Sequence, residues 1–366
     1  MKLSNVYLHA QQKLIDLQLL FIVMALVTFG LIMVYDSSVV QALTDFKDSY
    51  YYIRQQLIWV GLGGIMAFLL ANYDYRKLKI LAIPLLLFSF LLLIAVFIPG
   101  LGVEGGGAHR WLKLGFATIQ PAEILKLTSV IYLATIFEKK TRLGPFLLLI
   151  GAVTIITAIL QKDLGTSIVF VLTSAIIYFI SGGSIIHFLL AIPPAVVAFF
   201  TLVITSEYRS KRVLAFLDPF SDSQGFTYHI SQVLIALGSG GLFGLGLGQS
   251  RQKFEYIPEV STDSIFGVIG EELGFFGGVI LISLFILLIF RGIKIAQTAE
   301  DSFGKILAMG LTSWLGIQAI INLSSMVALM PLTGVPLPFI SYGGSALVAN
   351  LMAIGILLNI SKNSNL

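Results

Sequence analysis

The sequence contains no cysteine and very little charge. None of its 366 residues is Cys, and Asp, Glu, Lys and Arg together make up 11% of the chain, against about a quarter in an ordinary soluble domain. The absence of cysteine excludes a disulfide framework and a thiolate site for catalysis or metal binding. The shortage of charge excludes an assembly of soluble domains, because no stretch combines enough charge with amphipathic periodicity to build one.

Apolar runs recur from end to end, and 57% of the residues are hydrophobic. A helix needs about 20 apolar residues to cross the bilayer core. The chain is therefore predicted to be an all-α polytopic membrane protein, with one integral membrane domain over residues 1–366. The ten predicted spans are 17–36, 55–72, 78–98, 121–137, 144–161, 164–181, 184–205, 264–290, 304–329 and 340–360.

The first apolar run, from about Leu17 to Val34, is longer than a signal-peptide core and lacks a clear small-residue cleavage site. It is expected to remain as the first membrane helix. Basic residues concentrate in the short loops of one side, which places both termini in the cytoplasm of a cell with an inner (plasma) membrane. The net charge is +4. Its short basic clusters between apolar runs fit anionic lipid headgroups better than nucleic acid.

The connection over residues 206–263 is too polar to span a membrane and too apolar to be a free tail. It is expected to form short helices on the outer surface, as a large extracytoplasmic loop between predicted helices 7 and 8. The basic residues of this connection have two possible explanations. They hold an anion on the outer side, where the positive-inside rule disfavours basic residues, or they are solvated surface charges and variation in the orientation signal. They are Arg209, Lys211, Arg212, Arg251 and Lys253.

Asp263 lies where the eighth predicted span begins, in EYIPEVSTDSIFGVIGEELGFFGG. Helical spacing would place it on one face with Gly267, Gly270 and Gly274. Small residues are typical of close helix packing, so Asp263 is expected to point into the bundle. There it could act as a general base if burial raises its pKa, or it could be a helix N-terminal cap.

Three further charged groups are expected at membrane depth, where ionisable residues are costly and default to functional candidates. Glu123 and Lys126 stand three residues apart in QPAEILKL, either as functional groups or as an ion pair that stabilises the bundle. Asp163 in LQKDLGTS opens the sixth predicted span, either as a functional carboxylate or as a helix cap.

The loop GVEGGGAHRWLKLG offers Arg110, Trp111 and Lys113 beside glycines that would let a ligand approach the backbone. The cationic groups suit a pyrophosphate. The indole suits a sugar ring or an interfacial anchor.

Other patterns favour structure over chemistry. The run GSGGLFGLGLG lacks the lysine of a P-loop and the spacing of a dinucleotide fingerprint, so it predicts tight helix packing. Glu271 and Glu272 are interpreted as a structural polar contact. The histidines share no metal-ligand spacing, and no cofactor is evident.

Several of these stretches, occurring in order over nearly the whole chain, resemble the SEDS family (shape, elongation, division and sporulation). GLIMVYDSS, IPGLGVE and GEELGFFG are more similar to its division branch than to its elongation branch. The other matching stretches are YYIRQQLIW, IPGLGVEGGGAHRWLKLG, IQPAEILKL, DLGTS, IALGSGGLFGLGLG, EYIPEVSTDSIFGVIGEELGFFG and GVPLPFISYGGSAL.

The resemblance implies a peptidoglycan glycosyltransferase that polymerises lipid II on the outer membrane face during division. Asp263 matches the family's catalytic aspartate, and Arg110, Trp111 and Lys113 match its outer-loop substrate residues. Glu123, Lys126 and Asp163 match its polar core and are also expected to be substrate residues. Independently of the resemblance, Arg209, Arg212 and Lys253 are expected to offer charge for the leaving pyrophosphate, and Glu255 is a further expected substrate residue.

The resemblance also implies partners: a class B penicillin-binding protein with transpeptidase activity, and other division proteins. Some family members need a divalent cation, although no dedicated metal-ligand cluster is evident here. The rival readings are a transporter that flips lipid II, the elongation-type polymerase, and a non-catalytic division scaffold.

The chain departs from the family pattern at a few positions beside the expected site. Lys162 replaces a common proline, Ser261 and Ser264 flank the Thr-Asp pair where other residues are common, and His229 replaces a glutamine. These departures leave the proposed catalytic groups in place and put local substrate contacts in question.

Overall fold

The computed structural model describes residues 15–105, 108–115, 117–222, 225–254 and 256–363. Within this part of the chain, a helix occupies the position of every predicted span. The helices are α1 (Leu17–Phe46), α2 (Tyr51–Asn72), α3 (Leu78–Ala95), α4 (Pro121–Phe137), α5 (Leu143–Thr154), α6 (Leu164–Ile180), α7 (Ile185–Ile204), α8 (Glu207–Leu217), α9 (Tyr228–Gly240), α10 (Ile265–Thr298), α11 (Ser302–Met326) and α12 (Gly344–Lys362).

The described residues contain eight helices that are long and apolar enough to cross a membrane, so the chain is a multi-pass membrane protein. One of these counts α5 together with the π-helical turn Ile155–Leu160 that follows it. The other two predicted spans correspond to α4 and α6, which have 17 residues each. A complement of ten crossings therefore stays a prediction.

The all-α class is confirmed, and the connection between α3 and α4 adds a small antiparallel sheet that was not predicted. Its order is β1 (Gly102–Gly105), β2 (Ala108–Leu114) and β3 (Ala117–Ile119). The segment is short and lies between two spans, so apolar periodicity of membrane length does not reveal it.

Helix α1 is ten residues longer than its predicted span and ends at Phe46. Thirty helical residues extend about 45 Å, which is more than the hydrocarbon core requires. The last turn is fixed by aromatic contacts, since the ring of Phe46 stacks on that of Tyr51 at the start of α2. Length beyond the bilayer therefore comes from tertiary packing that the hydropathy pattern does not report.

The bundle has a buried centre and an exposed periphery. Helices α11 and α12 are mostly buried. The residues in the apolar stretch of α7 are not buried, and its leucine, isoleucine and phenylalanine side chains point outward. Outward apolar surface of this kind fits contact with lipid tails.

The predicted short helices of the long loop are confirmed as α8 and α9, and α9 packs against the first turns of α10. The predicted tight packing of the glycine-rich run is also present. At Gly274, α10 is interrupted by a left-handed residue with φ 65°, and a Cβ there would lie 2.3 Å from Gly244 N. A side chain cannot occupy that space, so glycine allows the two backbones to touch.

Candidate functional site

A cleft opens at the end of the bundle where α10 begins, here called the site end; the other end is called the opposite end. It contains about 740 Å³ of empty space, part of which is open to the surroundings. Its apolar wall includes Ile168, Phe199 and Val203. Its polar lining includes Arg110, Lys162, Asp163, Tyr208, Arg209, Arg212 and Thr333.

Three arginines of the cleft donate to backbone carbonyls. Arg110 bonds Gln161 O at 3.2 Å and Lys162 O at 2.6 Å. Arg209 bonds Ala158 O at 2.6 Å and Leu202 O at 3.2 Å, and Arg212 bonds Leu332 O at 2.9 Å. A carbonyl orients a guanidinium without cancelling its charge, so the cleft retains positive potential suited to a phosphate group.

Carboxylates neutralise little of this charge. Asp163 Oδ2 lies 4.0 Å from Arg110 Nε, at the outer limit of an ion pair, and the ion pairs among the described residues do not include Arg209 or Arg212. Burial, followed by the nearby charge of Arg110, lowers the pKa of Arg209. The repulsion between the two cations shows that they share one electrostatic environment.

Asp263 adjoins this cationic cleft. It lies two residues before the first residue of α10 and is 7% exposed. A Cβ added to Gly334 would lie 3.7 Å from Asp263 Oδ2 and 3.8 Å from Arg212 Nη1. The carboxylate and the guanidinium therefore both lie beside Gly334, the residue after Thr333 of the cleft wall.

The surroundings of Asp263 favour its protonated form. Burial and the negative charge of Glu259 raise its pKa to about 6, even though Arg212 acts in the opposite direction. A carboxyl group with this pKa is ionised at neutral pH and basic enough to accept a proton. The alternative of a helix cap does not describe Asp263, because Ser264 holds the N-cap position of α10.

His229 is a neighbour of the aspartate's chain segment. Its Nε2 lies 2.5 Å from the hydroxyl of Ser264. Burial and the charge of Arg212 lower the pKa of His229 to about 4, so the imidazole is neutral at physiological pH. The two unusual residues at positions 229 and 264 therefore form a pair that joins α9 to the start of α10.

Asp163 is a helix cap that also lies in the wall of the cleft. It caps α6, since Oδ1 accepts from Thr166 N at 3.0 Å, and it also lines the cleft. The cap fixes the carboxylate at the cleft wall.

Of the three expected residues on the first outer loop, the structure brings Arg110 alone to the cleft. All three lie on β2, and side chains alternate between the two faces of a strand. Arg110 therefore faces away from Trp111 and Lys113, which are absent from the described cleft lining.

Glu123 and Lys126 lie away from the cleft lining, inside the bundle. Lys126 Nζ is 2.8 Å from Glu123 Oε1 and 2.6 Å from Gln318 Oε1, and both charged side chains are at most 3% exposed. This geometry fits the alternative of an ion pair that fixes the bundle.

Lys253 is held in a separate buried cluster with Asp36 and Glu272, at 2.8 and 3.0 Å. Glu272 also accepts from the amides of Gly248 and Ser250. These bonds hold Lys253 in the loop before Asp263, and they fit the structural interpretation of Glu272. Glu255 lies outside the described residues.

Sequence reasoning missed Asp36, Tyr208 and Asn322. Asp36 lies within an apolar run, and an acid there is a signal that could have been used. Asn322 is an uncharged amide in an apolar helix, and its contacts to Asp263 O and Val335 O join segments far apart in sequence. No local pattern identifies it.

The described residues contain no group of three or more His, Asp or Glu side chains placed to hold a metal ion.

These features define a polytopic membrane protein with a cationic cleft and a buried carboxylate at one end of its bundle. Residues 17–366 match the family model of the cell cycle proteins FtsW, RodA and SpoVE. The chain belongs to this family, the SEDS family, which confirms the resemblance seen in its motifs.

Individual relatives cover nearly the whole chain. Stage V sporulation protein E of Bacillus subtilis is 42% identical over 95% of this chain and 97% of its own length. A protein of Trichlorobacter lovleyi named as a probable peptidoglycan glycosyltransferase, FtsW, is 40% identical over 96% of this chain and 94% of its own length.

Solved structures share the fold. One chain from a peptidoglycan synthase complex studied for its coordination of polymerization and crosslinking has a TM-score of 0.79 and 30% identity, covering 95% of this chain and 97% of that one. The rod shape determining protein RodA of Thermus thermophilus has a TM-score of 0.69 and 29% identity, covering 96% and 98%.

Proposed function

We propose that this chain is a peptidoglycan glycosyltransferase that polymerises lipid II during cell division, with Asp263 as its general base. The observation that carries the proposal is a buried carboxylate with a pKa raised to about 6, beside a guanidinium that no described ion pair neutralises. Family membership and relatives named as probable peptidoglycan glycosyltransferases support the reaction class.

The proposed reaction is a single displacement at an anomeric carbon. The 4-hydroxyl oxygen of one disaccharide forms the new glycosidic bond, and its proton passes to the Asp263 carboxylate. The bond from the anomeric carbon to the pyrophosphate oxygen breaks, and undecaprenyl pyrophosphate leaves with the bonding electrons. This route inverts the anomeric centre and needs no covalent nucleophile, as in inverting glycoside hydrolysis.

The arginines suit the charge that develops on the leaving group. Arg110, Arg209 and Arg212 are oriented by carbonyls before substrate arrives, so they need little reorganisation as the pyrophosphate separates. The apolar wall formed by residues such as Phe199 and Val203 suits the start of a polyprenyl chain.

The topology proposed with this function places both termini in the cytoplasm and the site end outside, where lipid-linked precursor is consumed. Asp263 and the polar residues of the cleft all lie in the outer connections of that topology, which are residues 96–120, 161–163, 205–264 and 327–343. The proposed partner is a class B penicillin-binding protein, in keeping with a structural relative from a synthase complex of polymerization and crosslinking.

The test uses the purified full chain with lipid II in detergent, with and without the transpeptidase, and separates glycan products by gel. Wild type is expected to make glycan chains, and Asp263→Asn to make none, because the amide cannot accept the proton. Asp218→Asn, an exposed acid in the same loop, is the matched control and should retain activity.

Glycan made by folded Asp263→Asn would refute the role of the base. Absence of product from wild type under both conditions would refute the polymerase. A lipid transporter forms no new bond and needs a sealed bilayer, so product in detergent also decides against that alternative.

A further inference from the structure

Asn322 is a buried amide at the centre of the site end. It lies on α11 and is 0% exposed. Its Nδ2 donates one hydrogen to Asp263 O and the other to Val335 O, each at 2.8 Å. Both donors of one side chain are therefore used to join two segments that lie far apart in the sequence, which Tyr342 N and Ser261 O also join at 2.8 Å.

The orientation of this amide is fixed by its acceptors. Two backbone carbonyls face the same end of the side chain, and rotating the amide by half a turn would place its oxygen against both of them. Asn322 Oδ1 has no hydrogen-bond partner among the described residues. A buried acceptor without a partner has an energetic cost, so the two donated bonds account for the presence of asparagine here.

Each of the two joined segments is linked to one charged group of the site. One holds Asp263 itself. The other runs through Leu332, whose carbonyl accepts from Arg212 at 2.9 Å, and Gly334, which both charged groups approach. Asn322 thus connects the backbone behind the carboxylate to the backbone that anchors the guanidinium.

We propose that Asn322 is a positioning residue that sets the spacing between the Asp263 carboxylate and the Arg212 guanidinium. It touches no reacting atom, and it acts by holding both backbones to one rigid helix. Misplacement of a reacting group by about 1 Å can cost about 100-fold in rate. This inference extends the proposed function and rests on it for its activity readout.

A change in this spacing can be detected through the pKa of Asp263, because that pKa depends on the groups around the carboxylate. Glu259, in the same loop, and burial raise the pKa of Asp263, whereas Arg212 on α8 lowers it. His229 on α9 is neutral, and Asn322 is the contact from α11. If the spacing loosens, the effect of Arg212 weakens and the pKa of Asp263 rises above about 6.

The test compares Asn322→Leu with Gln318→Met in the full chain. Gln318 is the matched control, because it lies one turn away on α11, is also 0% exposed, and donates to the neighbouring carbonyl Pro336 O at 3.0 Å. Asn322→Leu is expected to lower the polymerisation rate at least about tenfold and to move the pH midpoint upward. Gln318→Met is expected to leave the midpoint unchanged, whatever it does to yield.

Infrared titration of the carboxyl band that is missing in Asp263→Asn provides a second readout that needs no activity. It should show the same upward shift in Asn322→Leu, so the inference is testable even if wild type makes no glycan. Should Asn322→Leu fail to fold, Asn322→Ser keeps one donor and is expected to give a smaller shift in the same direction. An unchanged midpoint in the folded Asn322 variant, or an equal shift in Gln318→Met, would overturn the proposal.

Discussion

The three cleft arginines and three basic residues at the opposite end of the bundle are bonded in different ways. At the opposite end, Arg291 bonds Asp16 at 2.5 Å, Arg76 bonds Glu300 and Asp301 at 2.6 and 2.9 Å, and Lys79 bonds Glu138 at 2.5 Å. At the site end, the cleft arginines bond carbonyl oxygens. Pairing with carboxylates cancels charge and fixes helices, whereas pairing with carbonyls fixes the side chain and keeps its charge for a ligand.

Within this comparison, the largest effect is expected when a cleft arginine that bonds a carbonyl oxygen is replaced. Arg212→Met should lower polymerisation by about 10²–10³-fold, because it removes a donor positioned for developing charge, while thermal unfolding in detergent changes little. Lys211→Met is the matched control on the same helix, since Lys211 is exposed and paired with Glu207 at 2.7 Å. Equal losses in the two variants would show that the cleft does not distinguish these cations.

The second effect concerns stability at the opposite end. Arg291→Met would leave the Asp16 carboxylate buried without its partner, which is expected to lower the free energy of unfolding by about 3 kcal/mol. Adding Asp16→Asn should recover much of this loss, because a neutral pair needs no counter-charge. Equilibrium unfolding in mixed micelles measures both variants, and activity per folded molecule should stay near that of wild type. A large loss of specific activity in folded Arg291→Met would show that this ion pair affects activity as well as stability, against the contrast drawn between the two ends.

The smallest effect is a pH dependence confined to the site end. Asp263 has a pKa raised to about 6 and must be ionised to act as base, so activity should rise with pH through about 6 and be about tenfold lower at pH 5 than on the plateau. Stability changes in the opposite sense. A raised folded-state pKa contributes stability that is present below about pH 4 and is lost as pH rises to about 6.

Comparison of wild type with Asp263→Asn isolates this contribution, since the amide does not titrate. Relative to Asp263→Asn, wild type should lose free energy of unfolding as the pH rises from 4 to 6. A flat activity profile between pH 5 and 7 would contradict the assignment of the base.

The helical positions and one end of the site were predictable from local patterns. Apolar runs located α4 at its observed bounds and the entry of α10 within one residue, because a bilayer imposes length and hydropathy on each span separately. The burial of Asp263 was predictable, because the glycines at helical spacing after it indicate close packing on its side of α10.

Other features needed the folded chain. Trp111 and Lys113 appeared equivalent to Arg110 in sequence. In the structure, side chains alternate between the two faces of β2, so Trp111 and Lys113 face away from Arg110. Lys253 appeared free to bind an anion, and the buried acids Asp36 and Glu272 hold it instead.

Repeated membrane crossing and membership of the SEDS family can both be inferred from residues in their order along the chain. Which polar groups lie together at the site end depends on the folded structure. Asp263, Arg212, Asn322 and Gly334 come from four separate segments, and their distances depend on how helices pack across the bundle. Helix packing depends on the surfaces of two or more segments, so it cannot be inferred from any one segment.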